Sequence, residues 1–160
     1  KSSLHQKLGI GNDAGLTNYL AGNSEPVNVT QATTIPRLFL MPSGPLPPNP
    51  AELISSGKMV ALLNLAAEKF DQVIIDGPPV LGLADAPLLG SLAEATIVVA
   101  ESGGTTRQSA MTSVKRMRGT HSRLIGGVLN KVDVTRRAYG YGYHSYYYQY
   151  GETEQKRLPT

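Results

Sequence analysis

Three short apolar runs constrain this chain more than any other feature: Val73–Ile75, Ile97–Ala100 and Leu124–Leu129. Each is apolar at successive positions, so a strand built from it presents apolar side chains to both faces of a sheet. Between the second and third runs, Arg107–Arg118 can form a helix. Strands buried on both faces and alternating with helices predict a mostly parallel sheet flanked by helices, and hence the α/β class.

The first third of the chain reads as shorter pieces. Lys1–Lys7 predicts a short helix or its remnant, and Gly15–Leu20 another that ends at Gly22. Gly9, Gly11 and Ala14 match a loose dinucleotide-binding spacing, but that pattern needs a strand before it and Ser2–Leu8 is not one. Residues 23–36 read as a connecting loop, and Leu38–Met41 as a short strand. The run Pro42-Ser43-Gly44-Pro45-Leu46-Pro47-Pro48-Asn49-Pro50 cannot be helix interior. It ends in a helix start, with Asn49 as N-cap, Pro50 at the first helical position and Glu52 placed for a capping box. Val60, Leu63, Ala67 and Phe70 recur at helical spacing and predict a helix over Lys58–Lys69 with that stripe buried. After Val134 the apolar pattern stops. The expected organisation is one domain over 1–134 and a tail over 135–160.

Composition narrows the chemistry. There is no cysteine, which removes disulfide frameworks, thiolate zinc sites and cysteine nucleophiles. The three histidines, His5, His121 and His144, show no metal-ligand spacing. No Gly-x-Ser-x-Gly elbow occurs. A net charge of +3 is too weak to demand a nucleic-acid partner, and none is expected. Lys115, Arg116, Arg118 and Arg123 crowd a helix end, where cations are favoured as a solvated face.

Asp76 is the sharpest candidate for chemistry. Ligands of open α/β sheets bind outside the carboxyl ends of the strands, and Asp76 directly follows Val73-Ile74-Ile75. An acid there can hold a magnesium ion or its water in a nucleoside triphosphatase. It can equally cap the turn into Gly77-Pro78-Pro79, and both readings stay open. Asp85, before Ala86-Pro87, suits a helix cap or a place near phosphates. Asn130 ends the third apolar run, and its amide can both donate to and accept from an adenine edge or form a turn. Arg107 opens a helix after Thr105 and Thr106, either solvated or against phosphate.

Aromatic residues are distributed unevenly. Seven tyrosines, Tyr139, Tyr141, Tyr143, Tyr146, Tyr147, Tyr148 and Tyr150, fall within twelve residues, whereas the rest of the chain holds only Tyr19, Phe39 and Phe70 as aromatics. Gly140, Gly142 and Gly151 punctuate the cluster. Such tyrosines suit phosphate acceptance, ring-mediated assembly or base stacking.

Taken together the pieces resemble the cytoplasmic catalytic domain of the bacterial tyrosine autokinases of capsule and exopolysaccharide synthesis. Gly15-Leu16-Thr17-Asn18-Tyr19-Leu20-Ala21-Gly22 is similar to the stretch after that family's second nucleotide motif. Pro42 to Ile54 matches a family hallmark closely, and Val73-Ile74-Ile75-Asp76-Gly77-Pro78-Pro79 resembles its Walker B motif. Leu124–Asn130 resembles the strand that reaches the adenine, and the tyrosine cluster completes the pattern. The resemblance implies a P-loop fold related to the MinD and ParA ATPases, with ATP and magnesium as cofactors. It implies phosphoryl transfer to the seven tail tyrosines, with Asp76 as the magnesium-holding catalytic group and Asn130, Arg107 and Asp85 near the nucleotide. It also implies neighbouring subunits of a homo-oligomeric ring, and a membrane-anchored chain-length-determinant region of the same parent. Its place would be the cytoplasmic face of the bacterial inner membrane.

One departure matters. The phosphate-binding loop Gly-x-x-x-x-Gly-Lys-Ser/Thr does not occur in the 160 residues, nor does the family's second, aspartate-bearing motif. The chain therefore looks like the domain cut just after that motif, N-terminally incomplete, and alone it is expected to bind ATP poorly and not to phosphorylate. The competing expectation is a MinD- or ParA-like ATPase or scaffold module whose tyrosine-rich tail mediates assembly.

Overall fold

In a computed structural model of the chain, the structure describes residues 3–133. The expected boundary at Thr135 and the tyrosine tail lie outside the described residues. Near the amino end, α1 (Leu4–Lys7), α2 (Leu16–Leu20) and α3 (Pro26–Val29) are single turns. A small antiparallel pair follows, β1 (Gln31–Ala32) with β2 (Phe39–Leu40), in which Gln31 faces Leu40 and Ala32 faces Phe39. Residues 23–36 are thus not one loop. Pro26 opens a helical turn, and Thr33 N–H donates to Leu38 O at 3.0 Å to close the hairpin. Elements of two to four residues leave too little periodicity to be read from sequence.

The proline-rich run owes its position to α2. The first N–H groups of a helix have no partner within it. Here Leu16 N–H donates to Pro42 O at 2.8 Å and Thr17 N–H to Ser43 O at 3.0 Å. Asn12 Oδ1 accepts from Gly44 N–H at 2.9 Å, and Gly44 itself lies in the left-handed region at φ 76°. Gly15 makes this approach possible. A Cβ there would collide with Pro42 O and lie 2.5 Å from Gly44 N.

The core forms where α2 meets α5 (Gly57–Lys69) and α6 (Asp85–Leu92), with α4 (Pro50–Ile54) beside them. Leu20, Met59, Leu62 and Leu89 are buried there, and Leu53, Leu63, Ile75 and Leu92 pack around them. Tyr19 also packs on this cluster, and its hydroxyl donates to Lys58 O at 3.2 Å. Two sequence expectations need correction. The buried face of α5 is Met59 and Leu62, about one residue round from the expected stripe, and Val60 and Phe70 are exposed. Helical spacing alone permits either stripe, and the facing Leu20 and Leu89 select this one. At α4, Asn49 is the N-cap and Pro50 the first residue as expected, but the capping box does not close onto the backbone. Asn49 Nδ2 donates instead to Glu52 Oε2 at 3.2 Å.

The carboxyl half holds β3 (Thr96–Glu101), α7 (Arg107–Arg118) and β4 (Leu124–Asn130). β3 and β4 pair in parallel, with Ile97 opposite Gly126 and Glu101 opposite Asn130, and a bulge between Thr96 and Ile97. α7 crosses between them and buries Met117 against α6. Gly90 permits that contact, since a Cβ there would lie 2.5 Å from Met117 Cε and Ser122 Oγ. The α/β, parallel character of the fold is as expected. Coverage on both faces is not: Ile97 is 53% and Val99 63% exposed.

Val73–Ile75 is the further correction. It pairs with no strand among the described residues. Ile75 packs on the core while Ile74 is 86% exposed. A β-branched run becomes a strand only when neighbours satisfy its backbone on at least one side. The described sheet, two strands wide, supplies none here.

Candidate functional site

Asp76 is exposed but not adrift. Ile75 before it is packed on the core, which holds the backbone on that side. Asp76 and Gly77 themselves are exposed. Asp85 sits in the first turn of α6, where an acid is favoured by the helix dipole, and Ala84 rather than Asp85 occupies the N-cap position. Asp85 is one turn from buried Leu89 on the same helix.

A second group gathers at the carboxyl ends of β3 and β4. Ser102 N–H donates to Asn130 O at 2.9 Å, and Lys131 Nζ pairs with Glu101 Oε1 at 2.8 Å. Thr105 Oγ1 accepts from Glu101 N–H at 2.9 Å, and Thr106 Oγ1 accepts from Ser109 N–H at 3.1 Å to cap α7. Arg107 follows the cap and is exposed. Asn130 Oδ1 accepts from Lys131 N–H at 2.8 Å, with Lys131 in the left-handed region at φ 55°. This bond is the one that the turn reading of Asn130 expects.

Among the described residues, no hydrogen bond or ion pair links Asp76 or Asp85 to Asn130 or Arg107. Asn130 ends β4 and Arg107 opens α7, whereas Asp76 follows a run outside the described sheets and Asp85 lies on α6. The tyrosines Tyr139 to Tyr150 lie outside the described residues. Sequence reasoning missed Glu101 and Lys131, although Glu101 ends its strand as Asp76 ends its apolar run. It also missed Asn12 and Asn18, whose side chains bond backbone N–H groups of Gly44 and Gly15. No group of three His, Cys, Asp or Glu that could hold a metal ion occurs among the described residues. Magnesium held by one carboxylate, water and phosphate oxygens needs no such group.

No protein-family model matches the sequence. Individual proteins do. The tyrosine-protein kinase YwqD of Bacillus subtilis is 36% identical over 142 residues, covering 88% of this chain and 60% of that protein. The tyrosine-protein kinase wzc of Salmonella typhimurium is 37% identical over 152 residues, covering 93% of this chain and 21% of that protein. The solved kinase domain of the Escherichia coli tyrosine kinase ETK superposes with a TM-score of 0.80 at 32% identity, over 91% of this chain and 57% of that one. The chain belongs to the bacterial tyrosine-protein kinases. It spans about three-fifths of the Bacillus tyrosine-protein kinase and about a fifth of the Salmonella one. A kinase takes its phosphoryl group from a nucleotide, so nucleotide binding is a property of this kinase family. The described strands and helices of the chain are part of the P-loop architecture that its solved relatives share. No helix among its described residues is long and apolar enough to cross a membrane.

Proposed function

We propose that this chain is the carboxyl-terminal part of a kinase domain that transfers the γ-phosphoryl group of ATP to tyrosines at its own carboxyl end. The observation that carries this is the superposition on a solved tyrosine kinase domain over 91% of this chain but only 57% of that domain. The exposed Ile97, Val99 and Ile74 agree with it. Parallel sheets are buried on both faces, so this surface is where the remainder of the domain packs in the intact protein.

The residues present fit part of a magnesium–ATP complex. Asp76 offers one exposed hard oxygen donor directly after core-packed Ile75, which suits magnesium or its water. Asn130 Nδ2 offers a donor to an adenine edge, and Oδ1 can accept in addition to its bond from Lys131. Arg107 and Asp85 sit at the starts of α7 and α6 and are the further candidates to meet the nucleotide. ATP supplies the phosphoryl group, and magnesium offsets its charge. The grip on the phosphates comes from a lysine-bearing glycine loop, which these residues do not contain. The acceptors are Tyr139, Tyr141, Tyr143, Tyr146, Tyr147, Tyr148 and Tyr150, presented to neighbouring subunits of a homo-oligomeric ring. The parent is anchored through a chain-length-determinant region at the cytoplasmic face of the inner membrane and regulates capsule or exopolysaccharide synthesis.

The test is Asp76→Asn in the intact parent. The substitution is nearly isosteric at an exposed site, so stability changes little. Tail phosphorylation is expected to fall by about a hundredfold or more, in line with the weight of electrostatic positioning in phosphoryl transfer. Unchanged phosphorylation in a folded variant would remove Asp76 from the mechanism.

A further inference from the structure

Helix α7 carries an exposed cationic stripe, of which the proposed nucleotide site uses Arg107 alone. Its twelve residues include Arg107, Lys115, Arg116 and Arg118 and no acid. Arg116 is committed, since Nη2 donates to Leu83 O at 2.8 Å and ties α7 to the loop before α6. Arg107, Lys115 and Arg118 are exposed, and none has an ion-pair partner among the described residues. At 100° per residue they share an arc of roughly 80°, which runs from a quarter turn beside buried Met117, at Arg107, to nearly opposite it, at Lys115. Met111 lies between Arg107 and Lys115 on that arc and is 62% exposed. Two separated cations with an apolar side chain between them suit a ligand that alternates anions with rings.

The chain's own tail has that chemistry once phosphorylated. Arg107 and Lys115 are about 12 Å apart along the axis at 1.5 Å per residue. In an extended segment Tyr139, Tyr141 and Tyr143 share one side, and Tyr139 and Tyr143 are about 13 Å apart. Tyr146, Tyr148 and Tyr150 repeat the spacing. The tail also starts close by. The Ser102–Asn130 and Glu101–Lys131 contacts hold the end of β4 against the loop that leads through Thr105 to Arg107. Six residues from Asp133 to Tyr139 reach up to roughly 20 Å, and α7 is about 18 Å long. Before modification the segment has more cations (Arg136, Arg137, Lys156, Arg157) than acids (Glu152, Glu154), so α7 repels it. Each phosphate adds about −1.5 to −2 charges and reverses the sign.

We propose that the phosphorylated tyrosine tail docks on α7 of its own chain, one phosphotyrosine at Arg107, the next ring on Met111 and a second phosphotyrosine at Lys115 and Arg118. Cations clustered on a rigid element are a recurring phosphotyrosine-recognition device, and sulfur–ring contact adds to it. The docked tail engages Arg107, a residue of the proposed nucleotide site, so the modified chain holds its own product there. This rests on the tail tyrosines being acceptors, but its test does not, because the phosphates are installed by synthesis.

A fluorescent peptide of residues 137–150 phosphorylated at Tyr139 and Tyr143 is titrated into the full 160-residue chain, alongside its unphosphorylated twin. The phosphopeptide is expected to bind at least tenfold more tightly than the twin. Arg107→Gln with Lys115→Gln should weaken it at least tenfold. Arg107→Lys with Lys115→Arg, and Lys69→Gln on α5, should each change it by less than about threefold. A chain made by ligation with phosphates on its own Tyr139 and Tyr143 should bind the added peptide at least tenfold more weakly. Equal affinity for the two peptides overturns the proposal, as does indifference to the Gln pair. Unimpeded binding to the phosphorylated chain overturns docking within one chain. A thymidine oligonucleotide of matched charge that binds as tightly, with the same dependence on Arg107 and Lys115, would show a general polyanion surface and also overturn it.

Discussion

Gly15 shows how much a single residue decides. Its missing Cβ lets the α2 start approach the backbone of Pro42 to Gly44, and two helix N–H groups find carbonyl partners there. The proline-rich motif is thus explained by a structural need, the capping of α2 from outside the helix. Gly15→Ala is expected to destabilise the fold by about 2–4 kcal/mol, because the clash is with backbone and both bonds are lost. Urea unfolding of the variant against the parent measures this, and a loss below about 0.5 kcal/mol would mean that the segment moves freely. Asp76 is the opposite case. Its place after an apolar run was legible in the sequence because strand-end acids follow a simple pattern. The packing of Ile75 was not, since it depends on a cluster drawn from α2, α5 and α6.

At the scale of elements, α7 and β4 were legible because their own residues specify them. Arg107–Arg118 contains neither glycine nor proline, and the apolar run Leu124–Leu129 precedes the turn-forming Asn130. The face of α5 was not legible. Val60, Leu63, Ala67 and Phe70 form a valid helical stripe, but Met59 and Leu62 are the residues that meet Leu20 and Leu89. Leu62→Ala is accordingly expected to cost about 2–5 kcal/mol, and Val60→Ala less than about 1 kcal/mol. Thermal melts of the two variants compare them directly, and equal losses would contradict the packing described. The Val73–Ile75 run failed as a strand for a different reason. Strand formation is a property of a pair, and the described sheet offers this run no partner.

At the scale of the whole molecule, the described residues form a two-stranded parallel sheet with helices and a small antiparallel pair, and the parallel sheet exposes Ile97 and Val99. The parallel α/β class was legible because apolar runs alternate with helices. The one-sided cover was not, because burial depends on what lies against the sheet. The missing lysine-bearing loop leads to a calorimetric expectation: magnesium–ATP should bind this chain more weakly than about 100 μM, whereas micromolar affinity would show that the sheet-end groups suffice alone. The most direct test of the kinase reading is mass-spectrometric mapping of phosphotyrosine on the protein isolated from its native host. Substantial phosphate on several of the residues from Tyr139 to Tyr150 is the predicted result. A tail without phosphate, in cells actively making polysaccharide, would contradict it and favour an assembly module that uses the rings alone.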